Sequence, residues 1–123
     1  MRLTHIRLLA DDTNECVAFY RDKLGLAVTL EAGEVYTELA AGDAILGIYD
    51  RKLMGEAIGR PPGASGDAAV LTFAVDDVDE TQQRFAAEGV KFVTDPHDRA
   101  KWYLRVAHFR DPAGNLIEIN HNL

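Results

Sequence analysis

The chain holds a single cysteine, Cys16, in 123 residues. That excludes an internal disulfide framework and any thiolate metal centre built from paired cysteines. Long hydrophobic runs are absent too: no stretch approaches the roughly 20 apolar residues that a membrane-spanning helix requires. The N-terminus lacks the apolar segment and small-residue cleavage site of a secretory signal, so the cytoplasm is the expected compartment. Positive charge is scarce, with 13 Lys and Arg against 20 Asp and Glu, a net charge of −7 and a pI near 4.9. Such a balance repels phosphate backbones and anionic lipid, which excludes nucleic acid and membrane surfaces as partners. No P-loop, dinucleotide glycine pattern, Cys-x-x-Cys pair or nucleophile elbow occurs, and covalent catalysis through Ser or Cys finds no support.

What remains is one domain's worth of ordinary globular composition, 47% hydrophobic and 27% charged. Residues 3–9 alternate, with Leu3, His5, Arg7 and Leu9 on one face, as in a half-buried strand. Asp11, Asp12 and Thr13 offer N-caps to a helix whose apolar face is Cys16, Phe19, Tyr20 and Leu24 and which Gly25 ends. Strands are expected over 27–30, 35–39 and 44–49, separated by turns at Gly33 and at Ala41-Gly42-Asp43. From Arg51 the pattern dissolves, and residues 59–66 are dense in Gly and Pro, which reads as a linker over about 51–67. A second strand at 69–75 then leads into a capped helix carrying Val78, Thr81, Phe85 and Ala86, ended by Gly89, and into strands at 90–94, 103–109 and 116–121. The two stretches, about 1–50 and 68–123, repeat one order of elements. This predicts an α+β protein of two βαβββ modules whose sheets enclose a concave groove.

The closing stretch, Arg110-Asp111-Pro112-Ala113-Gly114-Asn115-Leu116-Ile117-Glu118-Ile119, reads as a turn followed by a strand. Glu118 is a carboxylate in an apolar run, where a buried charge needs a partner, a proton or a metal. With residues 111–115 as the connection, Arg110 faces Leu116 and His108 faces Glu118. That pair is either a plain cross-strand contact or a shared site for proton or metal chemistry. His5 on the first strand has the same two readings, and Arg7 on its face could neutralise Glu118 instead of a metal. Trp102 and Tyr103 with Arg105, and Tyr49 beside Gly47, suit a planar or anionic organic ligand, although Trp102 could equally cap the core. His97 and His121 read as solvent-facing.

Four segments together resemble the vicinal oxygen chelate superfamily, the group of glyoxalase I, extradiol dioxygenases, fosfomycin-modifying enzymes and bleomycin-resistance proteins. They are Leu3-Thr4-His5-Ile6, the helix end from Phe19 to Leu26, Val75-Asp76-Asp77 and the run from Arg110 to Glu118. The resemblance implies a curved mixed-sheet cup, a homodimer, and a small-molecule ligand. It implies metal ligands on the first and last strand of each module, here His5 and Glu118, with His108 as a possible third. Two imidazoles and a carboxylate suit one divalent ion such as Ni, Mn, Fe or Zn. The equivalent positions in the other halves hold Val70 and either Leu46 or Gly47, which cannot coordinate, so standard glyoxalase I activity is not expected. The resemblance leaves two functions open. One is a metal-assisted lyase, isomerase or dioxygenase in which Glu118 or His108 handles the proton. The other is a metal-free binding protein of the bleomycin-resistance type, with Arg7, Tyr49, Val70, Trp102, Tyr103 and Arg105 as ligand contacts.

Overall fold

Helix caps and the period-2 alternation decide most of the local structure. A computed structural model describes residues 1–63, 67 and 69–123. The chain divides into two compact units, Met1–Ala64 and Ser65–Leu123. In the first unit β1 (Ile6–Ala10) leads to α1 (Thr13–Ala18), where the Asp12 side chain accepts from the Glu15 N–H. A π-helical turn over Phe19–Lys23 prolongs the helix to Gly25, whose φ of +74° lets the chain reverse. Then follow β2 (Ala27–Ala32), β3 (Tyr36–Ala41) and β4 (Ala44–Asp50), in a mixed sheet ordered β1-β4-β3-β2 with β1 parallel to β4. The helix side of that sheet is the core, with Cys16, Tyr20, Leu39 and Ile48 fully buried.

The expected linker begins with a helix instead. Residues Arg51–Ile58 form α2, started by the Asp50 carboxylate on the Leu53 N–H and stopped by Gly59 at φ +76°. None of its residues is fully buried, and Gly55 in its middle with the Gly- and Pro-rich run behind it masks its helical spacing. The Arg51 guanidinium ties it down, donating to the carbonyls of Leu9 (3.2 Å) and Gly63 (3.0 Å) and pairing with Asp11. Ala64, Ser65 and Gly66 of that stretch, and Ala68 just after it, lie outside the described residues.

The second unit repeats the plan: β5 (Val70–Ala74), α3 (Val78–Ala87), β6 (Phe92–Arg99), β7 (Leu104–Arg110) and β8 (Leu116–Asn122), ordered β5-β8-β7-β6 with β5 parallel to β8. Asp77 caps α3 on the Glu80 N–H. Its face meets the sheet through Val78, Thr81 and Phe85, the last ring edge-on to Phe109 at 5.7 Å. Phe109, Ile117, Ala107 and Ile119 complete this core. Burying a side chain the size of Phe109 stabilises by about 1.5–3 kcal/mol. The repeated α+β topology agrees with the sequence reading, but β6 runs well beyond the expected 90–94 and includes Pro96. As an edge strand it tolerates a residue without an N–H, and the register shift between Thr94 and His97 accommodates the proline.

Candidate functional site

Each unit covers one sheet face with its helix and leaves polar residues on the other. Cross-strand partners share a face, so strand register shows which side chains meet. In the second unit the hairpin has the expected pairing, Arg110 with Leu116 and His108 with Glu118. Asp111 closes the turn by accepting from both the backbone N–H and the side-chain amide of Asn115, each at 2.8 Å. His108 Nε2 lies 3.0 Å from Glu118 Oε2. Its Nδ1 lies 2.8 Å from Thr94 Oγ1, which also accepts the His108 backbone N–H at 3.1 Å. A carboxylate only accepts, so the neutral ring carries its hydrogen on Nε2 and takes the Thr94 hydroxyl hydrogen on Nδ1. Asn120 Nδ2 donates to the other Glu118 oxygen at 3.1 Å. The pair is about one-fifth exposed, screened from bulk water yet reachable.

The first unit carries a second imidazole–carboxylate pair that the sequence reading did not anticipate. His5 Nε2 lies 3.1 Å from Glu38 Oε2, and its Nδ1 lies 2.9 Å from the Thr4 hydroxyl. The same Glu38 oxygen accepts the Tyr36 hydroxyl at 2.5 Å, and Tyr36 Oη accepts from Arg7 Nε at 3.2 Å. Burial and the bond to Glu38 raise the Tyr36 phenol above its usual pKa, and the Tyr36 hydroxyl bond raises the Arg7 guanidinium. Tyr49 sits edge-on to Tyr36 with ring centres 5.5 Å apart. Beneath lies Gly47. A Cβ there would come within 2.8 Å of Tyr36 Oη and 2.9 Å of its Cε1, so the missing side chain is what seats the ring.

Strand pairing relates the units position by position. Arg7, Gly47 and Glu38 form one row across the first sheet, and Thr72, Glu118 and His108 the matching row across the second. Val70 is therefore the counterpart of His5, and Gly47, not the buried Leu46, is the counterpart of Glu118. Val70 starts β5 on the Glu118 face and is exposed. Glu38 was missed because it faces a glycine. Its signal was the alternation Tyr36, Glu38 on the face of Gly47 and Tyr49.

The remaining expected contacts fall elsewhere. Arg105 lies on the helix side of β7, bound through Nε and Nη2 to Asp79 and through Nη1 to Asp98. These bonds lower the Asp79 carboxyl and raise the guanidinium. Its donors join α3 and β6 to the sheet and are not turned to the Glu118 face. Trp102 and Tyr103, at 62% and 76% exposure, close a 3-10 turn between β6 and β7, so Trp102 caps no core. Tyr103 adopts φ +56°, which is costly for an aromatic residue, and its carbonyl accepts from Leu123 N–H. His121 is not idle at the surface: its Nδ1 accepts the Val78 N–H at 2.8 Å, at the first turn of α3. His97 is half-buried, its ring centre 6.0 Å from that of His108.

As for a metal, the residues within either unit do not fit one. Among the described residues no group of three or more His, Cys, Asp or Glu is disposed to hold an ion. Each unit supplies a single imidazole with a carboxylate, and two donors bind a divalent ion weakly.

The sequence profile of the Glyoxalase/Bleomycin resistance protein/Dioxygenase superfamily matches residues 2–119. The chain is 41% identical over 124 residues to the uncharacterized protein YraH of Bacillus subtilis, covering 97% of each. Among solved structures it is similar to a lactoylglutathione lyase from Agrobacterium tumefaciens, with 28% identity, a TM-score of 0.77 and coverage of 97% of this chain and 92% of that one. A glyoxalase-related enzyme from Fulvimarina pelagi shares the fold, with a TM-score of 0.85 at 18% identity over 98% of this chain and 88% of its own.

Proposed function

The chain belongs to the glyoxalase/bleomycin resistance protein/dioxygenase superfamily, and from that premise we propose that it binds and transforms a small organic molecule on the polar face of its second sheet. In this reading His108 and Glu118 handle the substrate proton. The observation that carries it is the 3.0 Å contact between them, braced by Thr94 on one side and Asn120 on the other. His108 and Asn120 each donate to Glu118, the acceptor of the substrate proton in this reading, and Thr94 orients the His108 ring. Val70, Trp102 and Tyr103 are the ligand contacts of this proposal within the second unit. Arg7 and Tyr49, with Tyr36, offer a cation and two aromatic edges in the first. Arg105 is left out, since Asp79 and Asp98 engage its donors. We extend the proposal to a homodimer, which the resemblance implies, and to the cytoplasm as its compartment. Among the described residues no helix is long and apolar enough to cross a membrane.

The lactoylglutathione lyase reaction named for the Agrobacterium relative is not proposed in a four-ligand form, because Val70 and Gly47 stand at two of the positions. The test is a small-molecule screen by NMR on the wild-type chain and on Glu118→Gln and His108→Gln, together with metal analysis of protein purified without chelator and its sedimentation equilibrium. Ligands that perturb Thr94 and Asn120 amides, bind weakly to both variants and turn over only in the wild type are the expected result. Ligands indifferent to both substitutions would overturn the site. Binding without turnover would leave a metal-free binding protein. An ion content near one per chain, lost in Glu118→Gln, would replace the proton-transfer reading with the metal-assisted one, in which Ni, Mn, Fe or Zn draws on Glu118.

A further inference from the structure

The start of α3 is held to the sheet by a side chain that can change its charge. Val78, the first residue of the helix and fully buried, gives its N–H to His121 Nδ1 at 2.8 Å. A backbone N–H can only donate, so Nδ1 must bring a lone pair, and the hydrogen of the neutral imidazole sits on Nε2. Helix N-termini are ordinarily capped by hydroxyls, amides or carboxylates, which keep their acceptor near neutral pH. Asp77 does this for the Glu80 N–H, while the Val78 N–H depends on an imidazole from the far end of β8.

The groups around the ring set what a second proton does. Arg105 on β7 is its cross-strand partner and lies on the same face. Its donors are engaged by Asp79 in the first turn of α3 and by Asp98 on β6. Asp79 is near enough that a charge on the ring helps to lower its carboxyl. Asp76, Asp77 and Glu80 are the other charged residues at the start of α3, and β5 has none. A hydrogen added to Nδ1 would point at the Val78 N–H, beside the Arg105 guanidinium and at the positive end of the helix dipole. The contact cannot survive it. The carboxylates of the turn attract the charged ring, which gives it another position to take once the Val78 bond is gone.

We propose that His121 is an acid-released latch: neutral, it fastens the first turn of α3 to the end of β8, and protonated it lets that turn go. Imidazole is the side chain that ordinarily changes charge between pH 5 and 8, so the hold on α3 becomes a function of pH in that range. Only the neutral ring accepts the Val78 N–H, so the hold is present at the upper end and is lost as pH falls. The neighbouring Val75 N–H goes to the Asn120 carbonyl at 2.9 Å, an acceptor that does not titrate. Release is therefore local, and the chain leaving β5 keeps its place beside β8 while the Val78 N–H opens. The latch stands independently of the reaction proposed for His108 and Glu118.

Amide hydrogen exchange and imidazole titration, both by NMR on the full chain from pH 7.5 to 5, test it, with exchange rates corrected for their intrinsic dependence on pH. In the wild type the protection of the Val78 amide is expected to fall about tenfold over that range, the factor one neutral hydrogen bond carries, with the midpoint at which the His121 ring gains its proton. The Val75 amide in the same spectra should stay protected. His121→Gln, which accepts but does not titrate, and His121→Leu, which does neither, should each show Val78 protection that does not change with pH. A His121 ring still neutral at pH 5, a ring that charges without a change at Val78, or the same fall in either variant would each overturn the latch. An equal fall at Val75 would overturn it too, because the whole unit would then be opening.

Discussion

Gly47→Ala tests how the first unit's polar cluster is built. In an ordinary strand this change stabilises by about 0.5–1 kcal/mol, because alanine has less freedom to lose on folding. At position 47 the new methyl would stand 2.8 Å from Tyr36 Oη, 2.9 Å from its Cε1 and 3.0 Å from Arg7 Cγ, closer than such contacts can be. A stiff ring has to leave, and with it goes the half-buried bond from Tyr36 to Glu38. A hydrogen bond to a charged group contributes about 1.5–3 kcal/mol. The more exposed Arg7 contact adds little. Subtracting the backbone gain from the lower half of that range leaves a net loss of about 1 kcal/mol. For a chain of this length that is a fall of about 3–6 °C in Tm. In a Tyr36→Ala background the obstacle is gone, so Gly47→Ala should turn stabilising. Thermal melts of the four proteins in this double-mutant cycle measure the change of sign. A Gly47→Ala chain that melts higher than wild type by as much as it does over Tyr36→Ala would refute the seat assigned to Tyr36.

Two further outcomes follow from the second unit. The bonds from Arg105 hold the Asp79 carboxyl below its ordinary value, so the stability from this pair is present above the unfolded-state pKa near 3.8 and is lost as pH falls through the folded value. Urea melts should therefore find Asp79→Asn less stable than wild type at pH 7, with the gap closing below about pH 4. His121→Leu removes the acceptor for the Val78 N–H and should cost about 1 kcal/mol, seen as a lower Tm with faster hydrogen exchange at the start of α3.

Most of the fold was legible because its signals are local. Asp12 and Asp77 cap helices where the sequence placed caps, Gly25 and Gly89 take the positive φ that ends them, and the Asp111 turn fixes the pairing of His108 with Glu118. What the sequence hid was either unmarked by hydrophobic period or set by an irregularity of register. Helix α2 has no fully buried residue, and Gly55 within it and the Gly- and Pro-rich run after it masked its spacing. Arg105 was assigned to the ligand side from its aromatic neighbours, but the strand starts after Tyr103 and alternation then turns it toward α3. His97 was read as solvent-facing, and neither the edge position that tolerates Pro96 nor the bulge that turns His97 to the His108 face is written in spacing alone.

The comparison of the two units explains why the candidate site is uneven. The matching rows hold Arg7, Gly47 and Glu38 in one and Thr72, Glu118 and His108 in the other, so each row has a carboxylate but on a different strand. In the first, the absence of a side chain at Gly47 admits the Tyr36 ring, and Glu38 from the neighbouring strand is the acceptor for both Tyr36 and His5. In the second, Glu118 stays on the closing strand and its neighbour supplies an imidazole. A metal centre of repeated ligands needs equivalent positions to carry equivalent donors, whereas proton transfer needs only one acid and one base of different character side by side. The two rows lack equivalent donors at equivalent positions, and the second sets an imidazole beside a carboxylate, the arrangement on which the proposed proton transfer rests.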